Sequence, residues 1–437
     1  MLMAFRFSNF RSFKDRAEIS LKAHRSDKSL PDVPIAAAVG TRRTMDVLPV
    51  AAIYGANAAG KTNVLNALDY MQDAVIFSHS AWKPGGGTLL KQFRMPSSQL
   101  ADMPQSIFEV DIVLDNNLYT YGFSGNAKFF NAEWLHTYPL GRERTLFRRK
   151  TNSNDGKFDT TLKFSPHLSG DDRDLNSMAR RTRENSLFLA VAAQENQLEA
   201  KRVLEWFSNT LRIDPLAFDA TRSSSMDTSS LIEGRSLLFQ EVLGILKAAD
   251  RSLVDVEVQA ADKELPFDIQ DPKLQELLIA QNRFDISFVH EYDGERLVVP
   301  FRDESSGIRK LYGLASGIVA ALLLGDTLVV DELEKSIHPA MARYIIDLFQ
   351  SKSTNLGNGQ IIFSTHDTNL LDQSLIRRDQ IWFVEKNACQ SELYSLLEFS
   401  PRKDENLETG YLRGRYGALP ALGIAGWGRP QSIQNEG

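Results

Sequence analysis

Cysteine is nearly absent. Cys389 stands alone among 437 residues, which excludes an internal disulfide and a multi-cysteine zinc site and suits a reducing compartment. The seven histidines are scattered, with no CxxC or HxH cluster and therefore no metal-nuclease constellation. Long apolar runs are also missing. The longest, Ile318 to Val330, is interrupted by Gly325 and Asp326 and is too short to span a bilayer. It reads as the end of a buried helix followed by a buried strand. Met1 to Phe7 lacks the basic region and long apolar core of a signal peptide, so the expectation is a cytoplasmic protein without membrane contact. Positive charge is not in excess. Fifty Lys and Arg against 56 Asp and Glu leave a net charge of −6, which argues against nucleic-acid binding over the whole surface but permits a local basic patch.

Against these absences one stretch stands out. Gly55-Ala56-Asn57-Ala58-Ala59-Gly60-Lys61-Thr62 reads G-x-x-x-x-G-K-T; the apolar run Leu48 to Tyr54 precedes it and a helical pattern to about Ile76 follows. Two glycines let the backbone turn tightly, so that its N–H groups face an anion at a helix N-terminus. Lys61 can then reach the β- and γ-phosphates of a nucleotide, the Thr62 hydroxyl can hold Mg²⁺, and Gly55 to Asn63 line the phosphates. A chance match would be a mere small-residue turn. The flanking strand and helix argue instead for a nucleoside triphosphate.

Along the chain, residues 4–13 alternate aromatic and polar like a half-buried strand, and Ala17 to Leu21 reads as its hairpin partner. Short strands follow at Ser106 to Leu114, Leu118 to Phe123, Lys128 to Tyr138 and Thr145 to Lys150, an antiparallel unit joined by Asn- and Gly-rich turns. From about 171 to 250 the pattern is helical, notably Asn185 to Leu211 and Ser229 to Ala249, which could pair as a short arm. A hairpin is expected around Asp293-Gly294. The last third alternates helix (307–324), strand (327–331), helix (339–351) and strands (360–364, 380–384), as a largely parallel sheet would. The phosphate-loop strand should share that sheet, with residues 77–300 inserted between.

Three polar tips carry the chemistry. Leu328-Val329-Val330 ends in Asp331-Glu332; at the C-terminal edge of a parallel strand, Asp331 can complete a Mg²⁺ shell and Glu332 can deprotonate an attacking water. The alternative is a solvated acidic turn, which the upstream phosphate loop disfavours. Ile361-Ile362-Phe363 runs into His366, which sits where a γ-phosphate would be sensed; taken alone, a lone histidine more often packs. Ser305-Ser306-Gly307 opens the apolar helix 308–324, either as an N-cap or as donors to an anion.

This ordered set resembles the ABC-type ATPase heads of the SMC and RecF class. The resemblance implies that Gly55–Thr62 is the Walker A loop, Ser305–Gly307 the signature loop, Asp331-Glu332 the Walker B end and His366 the switch histidine; Asn9-Phe10-Arg11-Ser12-Phe13 is similar to the start of that class. Glu332-Leu333-Glu334-Lys335-Ser336-Ile337-His338-Pro339 resembles the bacterial AAA branch related to OLD (overcoming lysogenization defect) proteins, as do Arg402-Lys403-Asp404 and Gly414-Arg415-Tyr416-Gly417. The signature loop lacks the second glycine of the transporter consensus. The Q-loop residue that helps hold the metal is assigned to Gln92, with Gln72 and Gln99 as competitors.

The implied fold is α/β: a P-loop NTPase of ABC-head type, with a mixed sheet, an antiparallel β subdomain and an inserted helical subdomain. Residues 1–160 would form an N-terminal lobe, 161–283 the helical insertion, and 284–437 a C-terminal lobe. The implied cofactors are ATP and Mg²⁺. The implied partner is a second copy, whose signature loop would complete each ATP site. OLD proteins proper carry a Toprim nuclease after the ATPase, and the chain beyond His366 is too short for one, so a nuclease or toxin effector is expected as a separate protein. The leading expectation is a sensor or regulator in bacterial anti-phage defence. A RecF-like DNA-repair clamp and a nuclease with its own site within 77–300 are the alternatives. Basic clusters at Arg142 to Lys150, Arg180 to Arg183, Arg377-Arg378 and Arg413 with Arg415 are the candidate contacts to nucleic acid.

Overall fold

The computed structural model describes residues 1–437 other than 42, 95–103, 155–156, 215–227, 230–231, 233–237, 261–283, 403 and 421–437. The N-terminal part comprises β1 (Leu2–Ser8), β2 (Ala17–Ser20), the small hairpin β3 (Ile35–Ala38) and β4 (Thr44–Val47), β5 (Val50–Gly55) and helix α1 (Lys61–Phe77). Five strands follow: β6 (Ser106–Leu114), β7 (Asn117–Gly125), β8 (Phe130–Thr137), β9 (Arg144–Asn154) and β10 (Lys157–Phe164). The middle adds α2 (Asp172–Arg181), α3 (Phe188–Gln194), α4 (Leu198–Glu205), a π-helical turn (Trp206–Thr210), β11 (Leu211–Ile213), α5 (Phe239–Ala249) and β12 (Leu253–Ala260). The C-terminal part contains β13 (Phe284–Tyr292), β14 (Glu295–Pro300), α6 (Ser306–Leu324), β15 (Thr327–Val330), α7 (Pro339–Gln350), β16 (Gln360–Ser364), β17 (Ile381–Asn387), β18 (Gln390–Ser395) and α8 (Leu407–Leu412).

Two large sheets organise these elements. The first is antiparallel, in the order β10-β9-β8-β7-β6-β1-β2. The second runs β11-β15-β16-β5-β17-β18 and is parallel except for β18. Its central strands β5, β15 and β16 are uncharged runs because both faces are covered. Ala51, Ile53, Val329 and Ile362 point into one core, shared with α1 and the antiparallel sheet. Val50, Ala52, Tyr54, Leu328, Val330, Ile361 and Phe363 point into the other, beneath α5, α6 and α7. The period-2 alternation thus feeds two cores at once. The chain's mixed α/β architecture is therefore as the sequence implies.

Helix α6 is long and apolar enough to cross a membrane, but 67% of its apolar window is buried within the fold, where it packs on the parallel sheet. Its end is set by Gly325, whose φ of 86° a side chain would resist. The β13–β14 hairpin turns at Asp293 (φ 50°) and Gly294 (φ 81°), the positive-φ pair that such a tight turn needs.

Four features depart from the sequence reading. The segment Asn185 to Leu211 forms no arm; α3, α4 and the π turn bury Phe188, Leu189, Val203, Trp206 and Phe207 against the antiparallel sheet and α1. The division at 160 does not coincide with packing, since residues 172–210 share the N-terminal core, and the expected division at 283 falls at the edge of a stretch outside the described residues. Strands β3, β4, β10, β11, β12 and β18 were unexpected. β10 is a polar, exposed edge and β11 has only three residues, so neither carries a strong apolar pattern. Part of the expected helix Ser229 to Ala249 lies outside the described residues, and its described end forms α5.

One buried ion pair fastens α3 to the sheet. Glu133 on β8 is wholly buried and accepts from Phe188 N (2.7 Å) and Leu189 N (2.9 Å), capping the helix, and from Tyr121 Oη (3.1 Å). Arg149 on β9 lies 3.7 Å from it and donates to Ser186 O and Arg183 O. Burial pushes the Glu133 carboxyl up and the Arg149 guanidinium down, each against the pull of the other's charge. Arg149→Leu would strand the carboxylate, and we expect it to lower unfolding stability in urea by about 3–5 kcal/mol, with Glu133→Gln added to it recovering part of the loss. A change below about 0.5 kcal/mol would refute the role of this pair.

Candidate nucleotide site at the edge of the parallel sheet

Strand register builds the site. β16 lies between β15 and β5, pairing Val330 with Phe363 and Ser364 with Ile53. All three strands run the same way, so the residues following them (Asp331, Thr365-His366 and the loop after Gly55) emerge at one edge. The loop itself needs its glycines. A Cβ at Gly55 would fall 2.3 Å from Val384 O, and one at Gly60 would fall 2.6 Å from Ser391 Oγ, with φ at Gly60 of 121°. Ala58 also takes a positive φ of 60°.

Two distant segments clamp the loop. Ser391 on β18 donates to Ala59 O and sits 2.8 Å from Ser12 Oγ, and Asn63 Nδ2 donates to Ser12 Oγ at 2.8 Å. Ser12 lies in the tight Phe10–Phe13 turn, where Phe10 and Phe13 exchange backbone hydrogen bonds of 2.8 Å. The opening Asn9–Phe13 motif thus supports the phosphate loop from below.

Lys61 is only 6% exposed. Its ammonium donates to Gly55 O (2.9 Å), Ala56 O (3.3 Å) and His366 Nε2 (2.8 Å). Burial pushes the Lys61 amine down, opposed by Asp331, Glu332 and Glu334. Burial, and then the Lys61 charge, push His366 down as well, so a neutral imidazole accepts from the ammonium. Glu334 Oε1 accepts the His366 backbone N–H at 2.6 Å and orients the segment.

The Thr62 hydroxyl donates to Asp331 Oδ2 at 2.8 Å. The other Asp331 oxygen accepts from Ser364 Oγ, which also accepts from Glu332 N at 2.8 Å. A hydroxyl and a carboxylate side by side are the oxygen donors that Mg²⁺ prefers, with water and phosphate filling the remaining positions, so the residues present fit that ion. Glu332 adopts φ of 50°, rare for a side-chain-bearing residue, in a turn held by Leu333 N to Ser364 O (3.1 Å) and Lys335 N to Glu332 O (2.9 Å). That turn carries Glu332 to an open cleft of about 460 Å³, which Ala56, Asn57, Ala58, Gly60, Lys61, Thr62, Asn63 and His366 also line.

Other expected residues lie elsewhere. Ser305 Oγ caps α6 by accepting from Ile308 N (3.2 Å), and Ser305 and Gly307 line a separate, more apolar cleft of about 570 Å³. Ser306 is the first residue of α6. Gln92 does not face the Thr62–Asp331 pair; its amide donates to Pro104 O at 3.4 Å in an adjoining cleft, so its metal assignment finds no geometric support. Gln72 is committed to Phe207 O and Leu211 O, and Gln99 lies outside the described residues. The basic clusters divide: Arg149, Arg377 and Arg378 are buried, whereas Arg142, Arg148, Lys150, Arg180, Arg181, Arg413 and Arg415 are exposed. Arg149 meets Glu133, Arg183 donates to Ser78 O and His79 O, Arg377 binds Asp379 at 2.7 Å, and Arg378 binds Asp27 at 3.2 Å. Arg415 pairs with Glu405 at 2.6 Å.

Sequence reasoning missed Ser12, Ser364 and Ser391. Ser364 left a trace as the first polar residue at the tip of an apolar strand, and Ser12 as a member of the Asn9–Phe13 motif without an assigned role; Ser391 left none. Because Ser364 fixes both Asp331 and the Glu332 backbone, Ser364→Ala is expected to weaken Mg²⁺-dependent ATP binding roughly 10- to 100-fold. A Mg²⁺ titration identical to that of the unsubstituted protein would remove Ser364 from the site.

A family model described as "AAA domain, putative AbiEii toxin, Type IV TA system" matches residues 50–372. Among solved structures, the chain is similar to an SMC head bound to the C-winged helix domain of ScpA, at 11% identity and a TM-score of 0.42, covering 92% of this chain and 99% of that one. It is also similar to the recombination mediator protein RecF with ATP, at 13% identity and a TM-score of 0.31, covering 90% and 97% respectively. Both likenesses are distant, and no curated protein matches the sequence. The family match runs from the phosphate-loop strand past His366 over well more than half of the chain, and the protein belongs to this family of AAA domains.

Proposed function

We propose that the protein binds and hydrolyses ATP with Mg²⁺, closes head to head on a second copy when ATP is bound, and regulates a separate effector in bacterial anti-phage defence. The observation that carries the ATPase reading is the meeting of Lys61, Thr62, Asp331, Glu332 and His366 at one sheet edge, with Thr62 2.8 Å from Asp331 and Lys61 2.8 Å from His366. Phosphates seated on the loop would draw the Lys61 ammonium from His366 and the backbone carbonyls. Glu332 would take the proton of the attacking water, and the freed His366 would face the γ-phosphate. Thr62 and Asp331 would hold Mg²⁺, which would supply positive charge to offset that of the phosphates.

The adjoining cleft of about 660 Å³ shares Asn63 with the phosphate cleft and is lined by Arg11, Lys91, Phe93, Arg94 and Lys386, which suits the remainder of a nucleotide. The signature loop lies outside the phosphate cleft of its own chain, an arrangement consistent with Ser306 serving a second copy. The family's description names a toxin and a type IV toxin–antitoxin system, which supports the defence role over the repair-clamp alternative. Cytoplasmic action follows from the same reading.

Glu332→Gln is expected to accumulate as an ATP-bound dimer in size-exclusion chromatography with light scattering, with turnover reduced roughly 10²- to 10⁴-fold. Wild-type turnover in that variant would sink the general-base role. In a phage-challenge assay Lys61→Ala should abolish protection. Full protection by Lys61→Ala would rule out ATP-dependent defence.

A further inference from the structure

The signature segment is held by a side chain distant in sequence. Glu304, immediately before Ser305, uses one carboxylate oxygen to accept the Ser305 backbone N–H at 2.6 Å. Its other oxygen meets His290 Nε2 at 2.9 Å. His290 stands on β13, and its ring has a second partner: Nδ1 lies 2.9 Å from Ser252 Oγ and 3.7 Å from Asp250 Oδ2. The Ser252 hydroxyl is itself anchored on Asp250 Oδ1 at 2.7 Å, and Ser252 N donates to the same oxygen at 2.8 Å. The imidazole therefore bridges the turn between α5 and β12 and the loop that opens α6. The side chains of His290 and Glu304 are 11% and 10% exposed, so water competes little for this bridge.

The surrounding packing holds this bridge in a defined place. Phe288, two residues earlier on the same strand face, packs edge-on against Tyr312 of α6 at 5.5 Å, and Phe301 packs against the same Tyr312 at 5.9 Å. Register fixes the far side as well, since Leu253 pairs with His290 and Glu291 N donates to Ser252 O at 2.8 Å. Asp250, Ser305 and Gly307 line the same cleft. A loop held only by the Ser305 cap could pivot about the end of α6. Glu304 prevents this only if its own carboxylate is held in place, and His290 is the group that holds it.

We infer that His290 is a positioning residue for the Ser305–Gly307 loop, acting through Glu304 and anchored by Asp250 and Ser252. The inference rests on reading that loop as the signature segment that completes an ATP site on a second copy. His290 would touch neither nucleotide nor water. Its effect should therefore appear in turnover and not in nucleotide affinity, because the phosphate cleft includes none of these residues.

The test compares full-length His290→Ala, His290→Gln, Glu304→Gln, the double variant His290→Ala/Glu304→Gln, and Ser306→Ala. ATP affinity is read with a fluorescent ATP analogue, kcat by phosphate release, and folding by thermal midpoint. His290→Ala is expected to lower kcat roughly 10- to 100-fold while analogue affinity stays within about twofold. His290→Gln, which keeps a donor for Glu304, should restore most of the loss. The double variant should be no worse than the poorer single one, because both remove one link. Wild-type kcat in His290→Ala, equal losses in affinity and kcat, or additive effects in the double variant would each overturn the inference. If Ser306→Ala lowers kcat and His290→Ala does not, the positioning role alone fails. If Ser306→Ala keeps wild-type kcat, the signature reading fails and the inference falls with it. Should His290→Ala not fold, Ser252→Ala reads the same bridge from its far side, and wild-type kcat there overturns the role.

Discussion

The site depends above all on the register of three parallel strands. With β16 between β15 and β5, Ser364 lies beside Ile53 and one step beyond the Val330–Phe363 pair. From there one hydroxyl reaches Asp331 and the Glu332 backbone together. A slip of one residue would turn every side chain of the strand to the opposite face. Because alternate residues of β5, β15 and β16 fill two different cores, such a slip would empty both, so register is pinned over the strands' whole length. The stability of the fold and the geometry of the site are thus set by the same constraint.

Upon that frame sits a loop in conformations that side chains resist. Gly60 and Ala58 have positive φ, as does Glu332 in the facing turn. Strain of this kind, of order 1–3 kcal/mol per residue, persists only where neighbours over-determine it. The neighbours here are Ser391 from β18 and Ser12 from the start of the chain, together with Ser364 from the adjacent strand. Two serines from remote segments hold the phosphate loop, and Ser364 holds the facing acidic turn. The Lys61 ammonium meanwhile rests on backbone carbonyls and a neutral histidine, partners weaker than phosphate oxygens. An incoming anion therefore displaces contacts that are readily given up.

How much of this was legible in the sequence follows from the range of each interaction. The phosphate loop, the acidic strand tip and the parallel sheet are local patterns of period and punctuation, and they could be read directly. The contacts of the three serines could not be, because a serine at a strand tip or turn looks the same whether it touches an aspartate or water. The Arg377-Arg378 pair misled for a related reason, being buried in the fold. Arg378 is neutralised by Asp27, which lies 351 positions away, and no local pattern announces such a partner. β11 and β10 were missed because a three-residue strand and a polar edge strand carry little hydrophobic signal, although β11 extends the main sheet. The helical stretch 185–210 was recognised as helical, but its burial against α1 depends on Phe188, Trp206 and Phe207 finding a sheet hundreds of atoms away in the chain.

The Ser305–Gly307 loop and the turn after β15 meet within one chain at an unobtrusive contact. A Cβ at Gly307 would fall 2.8 Å from Ser336 O, so the first turn of α6 lies directly on the turn that follows the acidic strand. That turn holds Glu332 at its start and Ser336, with φ of 67°, near its end. Lys335 N to Glu332 O and Ile337 N to Glu334 O close it into a rigid unit. A displacement of the Ser305–Gly307 loop would therefore press on the same short segment that carries Glu332, and the reverse would hold equally. Close packing transmits such a displacement because there is no slack between the glycine and the carbonyl to absorb it. Gly307 is thus required by the fold itself, for the approach of two backbones, independently of any ligand.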